Sequence, residues 1–205
     1  YSPFRQILGV LTSDVEAGWA AGVITREHAR RLWGMLPATV RAVVEHGPDL
    51  IDTFVSRGAL LDRARIFQAA MLESDARAAA PERTNWWARL HELLEQKPAV
   101  VGAQQLAIFG QYARVLQALA IEAPLVLVVD DLQWADAGSI DLLFHLGRQL
   151  TGSRVLIIGA YRPEEVALGR RGERHPLDPV VSELRRLSGD TEVDLDQTER
   201  WHFLE

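Results

Sequence analysis

Apolar residues along this chain follow two rhythms, with a change at Pro124. Before it they recur every three or four positions, the spacing that turns one helix face toward a core. Ser13 and Glu16 have capping-box spacing, although Gly18 soon interrupts that segment. Thr25 is placed to cap a helix running to about residue 36. Pro37 suits the first position of a following helix, which Gly47-Pro48 would stop. Within 60–79, Leu61, Ala64, Ile66, Phe67, Ala70 and Met71 have helical spacing, and Pro81 breaks the run. Thr84 can cap a helix through 95, before Pro98. A long helix over 102–122 carries Leu106, Phe109, Ala113, Leu116 and Leu119 on one face.

After Pro124 the apolar residues come in blocks. The run 125–129 is continuous and rich in β-branched residues, as a strand buried on both faces of a parallel sheet would be. Asp136 can cap a helix to about 150, and 155–160 predicts a second buried strand. A polar loop over 162–174, with Gly169 and Gly172, leads to a helix over 177–187. Gly189-Asp190 turns into a short alternating strand over 191–195, and Asp196 with Glu199 repeats the capping geometry. This β-α-β-α-β order is that of an α/β sheet with right-handed crossovers. The chain thus divides into a largely helical segment, 1–123, and an α/β part, 124–205.

Composition narrows the chemistry. The 205 residues suffice for one sizeable core. A net charge of −6 argues against a broad nucleic-acid surface. With no cysteine there are no disulfides, zinc–thiolate sites or thiol catalysis. The longest apolar run is far too short to cross a membrane, and no basic and apolar leader opens the chain. Tyr1 at the start and a helix-like ending at Glu205 give the expectation that both ends are cut. Of the 22 basic residues only Lys97 is lysine, so only one lysine needs checking as a phosphate ligand.

The informative stretch is Asp130-Asp131-Leu132-Gln133-Trp134-Ala135-Asp136 behind the apolar run. Two adjacent carboxylates at the end of a buried strand are costly without positive charge nearby. In open α/β sheets the carboxyl ends of strands face the ligand crevice. Mg²⁺ takes one or two carboxylates together with water and phosphate oxygens. The string therefore reads as a Walker-B strand, with Asp130 at the metal shell and Asp131 polarising an attacking water. A solvated turn after a strand, or a pair of helix caps, is the plainer alternative.

That string resembles the Walker-B region of the signal-transduction ATPases with numerous domains (STAND). More narrowly, it is similar to the AAA-type ATPase domain of large LuxR-type transcriptional regulators and of bacterial ATPases fused to cyclases or kinases. Residues 111–119 resemble the helix before that strand, and Tyr1–Phe4 and 32–54 do so more loosely. The resemblance implies a P-loop NTPase-like parallel sheet flanked by helices, present here as an incomplete domain. It implies ATP and Mg²⁺ as ligands and a nucleotide-dependent switch in signalling or transcription. It also implies that Arg162, after the second strand, senses the γ-phosphate; arginine stays charged and can fork onto phosphate oxygens. Related families often have two threonines before that arginine, where this chain has Ala160 and Tyr161, and many AAA-type ATPases have glutamate where it has Asp131.

No Gly-x-x-x-x-Gly-Lys-Ser/Thr occurs, and Lys97 has no glycine before it. Truncation is the simplest account, with ATPase activity expected of the full-length protein and not of this fragment. The strand leading into the absent loop would lie beside 155–160 and 191–195, so the fragment is expected to be marginally stable or rearranged at that seam. The expected partners are ATP/ADP and neighbouring domains of the same chain, with room for a nucleotide-dependent oligomer. No direct nucleic-acid contact by this segment and no membrane contact are expected, and the expected location is cytoplasmic. The alternative function is a non-catalytic protein-interaction module that retains the NTPase fold. An origin-recognition-like ATPase would share the fold but needs a DNA-contacting domain.

Other candidates read as structure. His91-Glu92-Leu93-Leu94-Glu95 begins like a zinc-protease motif, but Glu95 stands where a second histidine is needed. Trp86-Trp87 could stack a base, but with Leu90, Leu93 and Leu94 nearby it reads as helix packing. The stretch 169–175 is basic and glycine-containing; it could approach a neighbouring subunit or nucleotide, but it reads as a plain mobile loop.

Overall fold

The computed structural model describes residues 1–12, 15–22, 24–73, 85–95, 105–169, 173–189 and 191–195. Among the described residues six α-helices come first: α1 (Ser2–Thr12), α2 (Val15–Ala20), α3 (Arg26–His46), α4 (Arg57–Glu73), α5 (Asn85–Glu95) and α6 (Gln105–Glu122). They are followed by β1 (Leu125–Val129), α7 (Ala137–Gln149), β2 (Val155–Gly159), α8 (Pro163–Leu168) and α9 (Leu177–Ser188). Ser13, Pro81, Thr84, Asp196 and Glu199, expected to start or stop helices, lie outside the described residues.

Helix α3 starts where its cap predicts, with the Thr25 side chain accepting from His28 N–H at 3.2 Å. It does not divide at Pro37. One helix runs through the proline, against the expectation of two. Proline lacks the N–H that would bond back one turn, yet tertiary packing can hold such a helix together. Here that packing is close: Leu36, Val40, Val43 and Val44 are buried, and α3 lies against α1, α5 and α6. Gly47 caps its end, donating its N–H to Val43 O at 2.9 Å ahead of Pro48, and a side chain has no room there; a Cβ would stand 2.6 Å from Leu50 Cδ1 and 2.8 Å from Val115 Cγ2.

Aromatic rings link the first helix to α6. Tyr112 is fully buried and its hydroxyl donates to Phe4 O at 2.9 Å, as a buried phenol must find a partner. Phe4 meets Tyr112 edge-on at 5.7 Å, and Phe54 meets it at 5.2 Å. Of the face expected on α6, Phe109, Ala113, Leu116 and Leu119 are buried, but Leu106 is 68% exposed. Its neighbour Ile108 packs against the core, so Leu106 alone of that face is left to solvent.

The strands are parallel and in register, from Leu125 opposite Val155 to Val129 opposite Gly159. Burial on both faces, expected from the apolar runs, does not hold. Leu125, Leu127 and Val129 point into the core, on the side where α6 packs, while Val126, Val128, Leu156 and Ile158 are 45–63% exposed. Among the described residues, helix packing reaches the pair from the side of α6, so pleat alternation decides burial. The expected strand over 191–195 is absent as well. That stretch is irregular, with Val193 and Leu195 exposed, and Glu192 receives Arg185 and the Tyr161 hydroxyl. Side-chain contacts hold it there rather than ladder bonds to β2. The 162–174 loop also contains a helix, α8, because Pro163 is preset for a first helical position.

One buried polar atom is left over. His145 Nε2 on α7 has no hydrogen-bond partner among the described residues, and its ring lies 5.7 Å from Phe109. Burial, and then the nearby Arg148, hold this imidazole below its ordinary value of 6.5. A depressed histidine resists the proton that the unfolded chain accepts, so its neutral form favours the fold above that value. Stability is therefore expected to fall as pH drops through 6.5, with His145→Leu removing part of the slope in thermal melts. On the sheet, Val128→Thr with Ile158→Thr should change stability by no more than about 1 kcal/mol for the pair and reduce hydrophobic-dye binding. Leu127→Ala, on the covered face, should cost about 2–5 kcal/mol in denaturant titration.

Candidate functional site

Both strands release their chains at one edge. β1 leads into Asp130 and Asp131, and β2 into Ala160, Tyr161 and Arg162. Pairing continues past the strands, with Ala160 N–H donating to Val129 O and Leu132 N–H to Ala160 O, each at 2.9 Å. The acidic doublet and Arg162 are thus carried out of the sheet side by side. The Leu132 side chain packs over Gly159, where a Cβ would stand 2.5 Å from its Cδ1.

The chain reverses at Asp131, which has left-handed backbone angles, φ 54 and ψ 41. Aspartate tolerates that region better than most residues other than glycine. A short 3₁₀ turn, Leu132–Trp134, follows, and Ala135 N–H closes it onto Leu132 O at 3.1 Å. Asp130 Oδ1 accepts from Asp131 N–H at 2.9 Å. Its second carboxylate oxygen has no partner among the described residues. Asp131 Oδ1 accepts from Gln133 Nε2 at 2.8 Å. Both carboxylates are exposed to solvent.

Arg162 begins α8, and its Nη1 lies 3.3 Å from Glu165 Oε1. The guanidinium is largely exposed, so this pair is worth only about 0–1 kcal/mol and is readily exchanged for another anion. The backbone N–H of Arg162 donates to Gln133 Oε1 at 3.3 Å. All three residues singled out from sequence therefore stand at the same end of the parallel pair, with Gln133 between them.

Two buried residues that sequence reasoning did not single out complete the arrangement. Gln133 is 2% exposed, and its backbone oxygen meets His175 Nε2 at 2.9 Å. His175 is 1% exposed and its Nδ1 accepts Leu177 N–H at 3.1 Å. It lies in the stretch read as a mobile loop, of which 170–172 are outside the described residues. Gln133 sits inside the acidic string, yet nothing local announces its burial, and the partner that covers it comes 42 positions later.

No group of three or more His, Asp or Glu side chains converges among the described residues. The smaller donor set still suits one ion. Mg²⁺ takes one or two carboxylates when water and phosphates supply its other ligands. Asp130, exposed and with one oxygen unengaged, meets that requirement. His91, Glu92 and Glu95 lie on α5, and the Trp86 and Trp87 side chains are outside what is described. No helix among the described residues is long and apolar enough to cross a membrane.

Asp136, the third acid of the string, serves the fold. It caps α7 by accepting Ser139 N–H at 2.9 Å and the Ser139 hydroxyl at 2.7 Å. Burial opposes its ionisation, but the hydrogen bonds of the cap favour it and help hold the carboxyl below the usual aspartate range. A lowered carboxyl contributes stability above its ordinary value of 3.8 and loses it as pH falls through the folded-state value. Asp136→Ala should cost roughly 0.5–2 kcal/mol in chemical unfolding, and Asp136→Asn less.

The family model described as AAA ATPase domain matches residues 23–158. That stretch reaches from just before α3 into β2 and includes Asp130 and Asp131; Arg162 lies beyond it. No curated protein and no solved structure matches the chain.

Proposed function

The chain belongs to the AAA ATPase domain family, and from that premise we propose that it is the Walker-B and sensor part of a nucleotide-dependent regulatory switch. The observation that carries this is the placement of Asp130, Asp131 and Arg162 at one end of two parallel strands, where α/β folds take their ligands. Bound ATP–Mg²⁺ would supply the positive charge that the doublet lacks and the γ-phosphate on which Arg162 acts. Asp130, with its unengaged oxygen, holds the metal's shell. Asp131 orients the attacking water through the carboxylate oxygen not taken by Gln133. Arg162 leaves Glu165 for the more highly charged phosphate.

A phosphate-binding loop is still required, and these 205 residues contain none. Another part of the same protein would supply it. Gain and loss of the γ-phosphate contact at Arg162 then changes how this domain docks on its neighbours. Effector domains of the LuxR type, or cyclase or kinase domains, are the outputs the sequence resemblance favours.

The test uses the full-length gene product. Asp131→Ala should lower kcat for ATP about 10²-fold or more, the usual scale of a positioned acid–base group, with ATP affinity little changed. Asp130→Ala should raise the Mg²⁺ concentration needed for half-maximal binding. Unchanged kcat in Asp131→Ala removes the role given to that residue. A full-length protein that binds no ATP makes the domain an interaction module instead.

A further inference from the structure

Between the acidic doublet and Arg162 lies the buried amide of Gln133, bonded at both ends. Its two ends meet opposite chemistries: Nε2 donates to the Asp131 carboxylate at 2.8 Å, and Oε1 accepts the Arg162 backbone N–H at 3.3 Å. Rotating the amide by half a turn would set oxygen against carboxylate and N–H against N–H, so only one orientation satisfies both neighbours. The main chain of Gln133 is fixed too. His175 Nδ1 receives Leu177 N–H, so the ring's proton is on Nε2, which donates to Gln133 O at 2.9 Å. With both residues almost fully buried, water cannot easily replace the two bonds that His175 makes.

We propose that Gln133, locked by His175, is the positioning residue that couples the Asp131 carboxylate to the start of the Arg162 segment. This rests on the roles given above to Asp131 and Arg162. Gln133 touches no ligand under it. It sets the rotamer of Asp131 from one end of the amide and the backbone of Arg162 from the other. A shift of α8 caused by Arg162 is thereby transmitted to the Asp131 side chain. His175 extends the link to the head of α9, so the turn after β1, the start of α8 and the start of α9 move together.

Two measurements on the full-length protein separate this proposal from the ATPase assignment. The first is amide hydrogen exchange without nucleotide. Gln133→Met keeps the length and removes both bonds, and should speed exchange of the Arg162 amide about tenfold, the scale of one lost hydrogen bond. His175→Ala should do the same although His175 does not touch Arg162, and His175→Gln, which keeps a donor near the Nε2 position, should restore protection. The Tyr112 amide, deep in the helical core, serves as control. Equal acceleration at Tyr112, or none at Arg162, overturns the coupling. The second measurement is turnover. Gln133→Met should lower kcat roughly tenfold with KM for ATP nearly unchanged, as expected for a lost bond to a charged group. A loss confined to KM, or none, overturns the positioning role. If the wild-type protein does not hydrolyse ATP, the ATPase assignment fails alone, and the coupling stands or falls on the exchange data.

Discussion

Everything at the acidic edge depends on parallel pairing that persists beyond the regular strands. Val129 and Leu132 both bond to Ala160, one through its carbonyl and the other through its N–H. Those two bonds oblige the chains leaving β1 and β2 to travel together until Asp131 turns away. Without them the carboxylates and Arg162 would be surface groups on separate loops. The helical part contributes by anchoring: α6 packs against both strands, and Tyr112 on α6 ties that helix to the main chain of α1. A site made of exposed side chains thus stands on a base of buried ones.

What could be read from sequence was mostly local. Thr25 and Asp136 cap the helices they were expected to cap, since a side chain that reaches three residues ahead is decided by its own neighbourhood. The two strands are also where unbroken apolar runs placed them. What failed was whatever depended on distant partners. Pro37 is equally at home at a helix start or within a well-supported helix, and only contacts from α1, α5 and α6 decide between them. An apolar run does not say whether its second face is covered. Val126 and Leu106 show the same limit in a strand and a helix.

The edge was legible in part for the same reason. Asp130 and Asp131 stand out because the whole string from Asp130 to Asp136 behind an unbroken apolar run is distinctive, where an acidic pair after a strand by itself is common. Gln133 and His175 do not stand out, because a neutral amide and a lone histidine look ordinary until they are found buried against each other. The family match covers the doublet and stops short of both His175 and Arg162.

The left-handed turn at Asp131 bears on how this sequence can change over time. A glycine there would relieve strain on the order of 1 kcal/mol. Asparagine would fit the same backbone and could still accept the bond from Gln133. Neither change would harm the turn, and one would ease it. What aspartate alone adds at this position is a negative charge. Descendants of this gene freed from any need for that charge should therefore drift toward asparagine or glycine, leaving a record of lost activity that can be read without an assay.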